Sequence, residues 1–367
     1  MKTAAPGATE LLSVRSVRAV RRAASWSREN LFNTWYNGLL TVGALWLISR
    51  SVTGLLNWGV LGAVFQGTTS LPCRGIEGAC WPVISQMWQV FMVGTYPFEE
   101  RWRTLATVLV VGAVALAGVW APLRRRWLYV ALWALVPVAA FALIRGGLAL
   151  PVVESSLWGG LLLTVILSVV GIVCSFPIGV MLALGRRSKM PIIRALCVIY
   201  IELIRGVPLV TVLFMASVML PLFFPSGFYM DKGLRAQAGI ILFSAAYLAV
   251  VVRGGLQGLP RGQEEAAAAL GLNYWQTMRF VVLPQALRIV IPPLVSQFIS
   301  LLKDTTLVTI IGLFDLLGIT TLVTSNPEWL GKIIETYVFV AVIYWIMCFA
   351  MSRYARSLEI QYSARQH

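Results

Sequence analysis
Hydrophobic residues along this chain gather into eight runs that read as membrane spans: 31–49, 104–121, 127–144, 156–184, 195–224, 234–252, 287–302 and 334–351. A helix of about 20 apolar residues crosses the roughly 30 Å hydrocarbon layer, so the pattern predicts a polytopic helical bundle. The fifth run is broken by Arg205-Gly206-Val207-Pro208. Its first part is expected at the interface, with the crossing part beginning near Pro208. Pro292-Pro293 falls inside the seventh run and is expected to kink it. A ninth apolar run, 307–322, is interrupted by Gly312, Asp315 and Gly318 and reads as a re-entrant or interfacial helix at the outer face.

One polar stretch interrupts this apolar background, 263–284, QEEAAAALGLNYWQTMRFVVLP. Its alanines favour helix, and Glu264 and Glu265 suit the positive N-terminal end of a short one. Gly271 is the expected stop, Asn273 the expected cap of a second helix near Tyr274, and Pro284 the expected end of that second piece. On helix signals alone this is an ordinary loop hairpin.

Composition agrees with the runs: 58% of the 367 residues are hydrophobic, 12% are charged and the mean hydropathy is +0.79. The net charge of +15 is explained by where it sits. With eight spans and both termini inside, 21 of the 30 Lys and Arg residues fall on the inner side. Counting 307–322 as a full span would move Arg353, Arg356 and Arg365 outward and lower that number to 18. These arginines anchor orientation and touch anionic lipid, and no basic domain suited to nucleic acid is present. The organisation expected is a cytoplasmic tail at 1–30, a three-span extension at 31–150 with outer loop 50–103, a five-span core at 151–353, and a cytoplasmic tail at 354–367.

Chemistry is sparse. The single histidine is His367, which removes the usual histidine bases and ligands. The only Gly-Lys, Gly331-Lys332, precedes Ile333 and has Asn326 where a P-loop needs its first glycine, so the chain has no such nucleotide cradle. Cys73 and Cys80 lie in the outer loop, either bridged or as two free thiols. Glu202 and Arg205 can pair at i, i+3 as a surface anchor. Lys303, Asp304, Thr305 and Thr306 put two opposite charges and two hydroxyls into an apolar stretch; both a place on a translocation path and a structural turn fit them.

Glu265-Ala266-Ala267, three residues, Gly271, nine residues, Val281, one residue and Leu283-Pro284 resemble the EAA loop of ABC importer permeases, with valine for the usual isoleucine. The segment 200–209 (YIELIRGVPL) resembles one that permeases of the histidine/glutamine/arginine type carry early in their second core helix. The segment 300–307 (SLLKDTTL) resembles their outer-face stretch, and the three-span extension is similar in layout to the M-type permease of general L-amino-acid ABC importers. The resemblance implies an all-α, type I ABC importer permease core in a bacterial inner membrane, with amino acids as substrate. It also implies three kinds of partner: a dimer of ATPase subunits that binds the ATP, a second homologous permease, and a periplasmic amino-acid-binding protein. This chain itself is expected to hold no cofactor. Coupling to the ATPase falls on Glu264, Glu265, Ala266, Ala267, Gly271, Leu283 and Pro284. The competing reading is a secondary amino-acid transporter driven by an ion gradient, although no inverted repeat with matching broken helices is visible.

Overall fold
The computed structural model describes Arg22 and residues 25–120, 126–147, 150–225 and 230–363. The arginines before residue 22, Arg124, Arg125 and Arg365 of the expected inner segments lie outside the described residues. The chain divides into two compact units, Met1–Pro82 and Val83–His367.

In the first unit, helix α1 (Trp35–Leu56) continues through a π-turn at Asn57–Leu61. None of its residues is buried, and with mean hydropathy 1.6 over its best window it is long and apolar enough to cross a membrane. Beyond it the chain doubles back: Val64 donates to Ala79 at 2.8 Å, and the Trp81 indole donates to the Gly59 carbonyl at 2.8 Å. Cys73 and Cys80 are joined by a disulfide there, with Cα atoms 5.8 Å apart.

The second unit begins with α2 (Pro82–Val93), α3 (Trp102–Trp120) and α4 (Arg126–Arg145). Its centre is α5 (Gly160–Arg186) packed along α8 (Lys232–Gln257). Small residues permit that approach, as is usual where helices associate in lipid. Ala245, Ala246 and Ala249 are buried on α8, and a Cβ on Gly179 of α5 would stand 2.7 Å from that of Leu248. Between them in sequence come α6 (Pro191–Arg205) and α7 (Leu209–Phe214), the latter prolonged by π and 3-10 turns to Phe223. The bend between α6 and this second piece is 104°, at the break expected near Pro208. Among the described residues five helices are long and apolar enough to span, and this bent pair makes a sixth. At 19 and 20 residues, α3 and α4 coincide with two further apolar runs of the sequence.

Three local expectations take a more definite form. The interruption expected at Pro292-Pro293 is a full break between two helices: the prolines open α12 (Ile291–Asp304), where first-turn N–H groups have no intrahelical acceptor and proline costs little. The break sits just before, at Val290 with φ −97° and ψ 9°. The run 307–322 is not one helix. It becomes a 3-10 turn (Thr305–Ile311), Gly312 at φ +74°, a two-residue strand β1 (Phe314–Asp315) and the short helix α13 (Gly318–Thr324). Strand β1 bridges in parallel to Gly159 and Gly160 at the start of α5. Finally, α14 (Ile333–Ser363) runs well past 351, so the last helix continues through Arg353 and Arg356 into the segment 354–363.

Candidate functional site
The polar stretch folds as a hairpin of helical pieces. Helix α9 (Gly262–Ala269) ends in a Schellman arrangement: Leu272 N–H donates to Ala267 at 3.1 Å and Gly271 N–H to Ala268 at 2.9 Å. Gly271 sits at φ +76°, a left-handed conformation that other residues adopt only at a cost. Asn273 then caps α10 (Tyr274–Gln276) through a reciprocal capping box, Gln276 N–H to Asn273 Oδ1 and Asn273 N–H to Gln276 Oε1, both 2.9 Å.

Pro284 does not end this second piece. The backbone widens into a π-turn at Thr277–Val282 and passes directly into α11 (Leu283–Ile289), with proline in its first turn. Proline cannot donate to the carbonyl four residues back, and a π-turn just ahead of it accommodates the lost bond.

The hairpin is fixed to the bundle from beneath. Ala267, Met278, Val282 and Ala286 are buried, the last three in one apolar cluster with Leu248, Val252 and Leu256 of α8. Glu264 is ion-paired with Arg187, and the Gln285 amide donates to Gln263 at 3.1 Å across the hairpin. The opposite face is open. Glu265, Ala266, Gly271 and Pro284 are exposed and Leu283 is half-buried. Leu270 and Trp275 beside them are 80% and 71% exposed, and a Cβ on Gly271 would meet nothing within 4 Å. The arrangement is a buried base carrying an open face of small and apolar residues, and among the described residues Glu265 on that face makes no ion pair.

The four candidate path residues do not converge. Lys303 is exposed and Asp304 half-buried, and among the described residues the two make no ion pair. Thr305 is fully buried and donates to Leu302 at 2.8 Å, while Thr306 donates to Lys303 at 2.9 Å. Glu202 pairs more closely with Arg186, at 2.7 Å, than with Arg205, at 3.7 Å.

A polar centre that sequence reasoning passed over lies next to them. Asp315 is completely buried and accepts from Gly318 N–H at 2.9 Å, the Tyr344 hydroxyl at 2.9 Å and the Thr309 hydroxyl at 3.2 Å. Beside it, Leu316 N–H donates to Thr164 of α5 at 2.9 Å. Burial pushes the Asp315 carboxyl above the ordinary carboxylate range, and the Gly318 and Tyr344 donors act against that rise. The signal was available: a carboxylate in an apolar run needs partners. Among the described residues no cluster of three or more His, Cys, Asp or Glu offers a metal site.

Residues 175–360, which include the hairpin, both ends of its base and Asp315, match the model of the family described as "Binding-protein-dependent transport system inner membrane component". The chain belongs to this family. Two relatives cover nearly its whole length. The inner membrane amino-acid ABC transporter permease protein YhdY of Escherichia coli (strain K12) is 52% identical over 345 residues, 93% of this chain and 94% of that protein. The glutamate/glutamine/aspartate/asparagine transport system permease protein BztC of Rhodobacter capsulatus is 38% identical over 425 aligned positions, 96% of each. Among solved structures, a crystal structure of an amino acid ABC transporter with histidines is 30% identical, with a TM-score of 0.49, covering 55% of this chain and 92% of that one. This permease is therefore a multi-pass membrane component of an ABC importer, and an ion-gradient-driven carrier is not favoured.

Proposed function
We propose that this permease forms the translocation path of an ATP-driven amino-acid importer together with a second, homologous permease. An ATPase dimer, supplied by separate subunits, docks on the open face of the 263–284 hairpin, and a periplasmic amino-acid-binding protein delivers substrate at the other end. In this reading both termini and the hairpin face the cytoplasm of a bacterial inner membrane. The core extends over 151–353 and the first 150 residues are an addition to it. Of the candidate path residues, Lys303, Asp304 and Thr306 reach the surface of the chain and border the path, while Thr305, sealed in the core, supports the turn behind them.

The observation that carries the reading is the two-sided character of the hairpin. Its inner side is pinned by buried Met278, Val282 and Ala286, while its outer side presents Ala266, Leu270 and Trp275 to solvent. Exposed apolar surface on a rigid polar-rimmed element marks a protein-binding site. A push on that surface reaches α8 and α12 through packed side chains, so the hairpin acts as a lever. Glu265 is left to meet a cationic side chain of the ATPase.

Gly271→Arg tests this directly. The arginine side chain has room within the permease itself, but the left-handed backbone costs any L-residue roughly 1–2 kcal/mol, a strain that Gly271→Ala shares without the bulk or charge. Both variants insert in the membrane, Gly271→Ala keeps most of the ATPase and uptake, and Gly271→Arg loses co-purifying ATPase and amino-acid uptake together. Retention of both by Gly271→Arg contradicts docking at this face.

A further inference from the structure
At the end of the core that carries the hairpin, α5, α6 and α8 enclose a cavity of about 450 Å³. Arg186 and Arg187 from the end of α5, Arg194 from the first turn of α6 and Arg253 near the end of α8 converge on it, over an apolar floor of Ala183, Val198 and Leu256. Two carboxylates answer these four cations: Glu202 pairs with Arg186 at 2.7 Å, and Glu264 pairs with Arg187. The Arg194 and Arg253 side chains have no hydrogen-bond or ion-pair partner among the described residues. Like charges around one cavity repel unless a counter-ion sits among them, and guanidinium groups match phosphate oxygens in geometry as well as in charge.

The wall formed by α6 indicates where the anion comes from. Ile192, Leu196, Ile199 and Leu203 recur at helical spacing and are 73%, 63%, 61% and 63% exposed, a single unpartnered apolar stripe. The helix is turned 104° from the segment that follows it. An amphipathic helix turned away from a spanning segment lies along the bilayer surface with its stripe among acyl chains. A basic cavity between helix ends at that level is placed for a lipid headgroup.

We infer that this cavity binds the phosphate of an anionic phospholipid, held chiefly by Arg194 and Arg253. Free phosphate shares the headgroup chemistry but has no acyl chain to lie along the α6 stripe. The inference needs only that the chain spans a membrane. Because Arg187 also holds Glu264, the occupied site is one side chain away from the hairpin.

The test is native mass spectrometry of the purified full-length chain, delipidated and then offered phosphatidylglycerol or phosphatidylcholine. Wild type retains phosphatidylglycerol in preference. Arg194→Gln/Arg253→Gln lowers that retention by about tenfold or more, a loss on the scale of two cationic contacts at a membrane surface. Arg356→Gln, at an exposed position on α14, changes it little. Arg194→Gln alone acts in the same direction, and its exposed side chain removes no packing, so misfolding cannot imitate the effect. Equal retention of the two lipids, or equal retention by wild type and the double variant, overturns the inference. Displacement of bound lipid by millimolar inorganic phosphate reassigns the cavity to free phosphate. Loss of lipid on adding the ATPase subunit reassigns it to a protein carboxylate.

Discussion

A single carboxylate organises the end of the core opposite the hairpin. Asp315 is sealed from solvent, and its partners come from three elements: Gly318 and Thr309 nearby, and Tyr344 from the last helix. Asp315→Ala strips the acceptor from the buried Gly318 N–H and from the half-buried Tyr344 and Thr309 hydroxyls, which costs about 1–3 kcal/mol. Asp315→Asn keeps an acceptor and costs less. Thermal unfolding of the detergent-purified permease checks the order, and an unchanged midpoint for Asp315→Ala contradicts the network. The sequence shows Asp315 interrupting an apolar run, but its Tyr344 partner lies 29 residues away, which periodicity does not reveal. The same limit hid the role of Glu264, whose partner Arg187 is 77 residues distant. Gly271 was legible because its requirement is local: a short alanine helix must stop, and φ +76° lets it.

Among the elements, the spans were readable from the length of apolar runs, because a bilayer sets the length of a helix that crosses it. The break in the fifth span was equally readable from Arg205-Gly206-Val207-Pro208. Prolines were not. Whether Pro292-Pro293 kinks a helix or opens one depends on the break at Val290, and Val290 is buried against the α8 cluster, a tertiary matter. Pro284 is absorbed by a π-turn, which no local pattern announces. The pairing of α5 with α8 depends on small residues, Gly179 facing Leu248 most closely. Gly179→Val places a branched side chain where even a Cβ is too close, and overpacking of this kind costs about 1–3 kcal/mol. Reduced membrane abundance and a lower unfolding midpoint are expected. Wild-type values for both contradict the close packing.

Orientation and energy source are properties of the whole molecule. The proposed arrangement puts the disulfide loop outside and the hairpin inside. Gly75→Cys, in the loop closed by Cys73 and Cys80, is therefore labelled by a membrane-impermeant maleimide on cells with a permeable outer membrane, whereas Arg356→Cys is labelled only after lysis. Labelling of Arg356→Cys in intact cells contradicts that orientation. The central claim is that amino-acid movement through this permease is coupled to a partner's ATP hydrolysis. The direct measurement is uptake into proteoliposomes holding this chain, its partner permease and the ATPase, with ATP inside and the amino-acid-binding protein outside. The account predicts uptake that requires both ATP and the binding protein and continues when ionophores collapse every ion gradient. Uptake that proceeds without ATP and stops with the ionophores contradicts it.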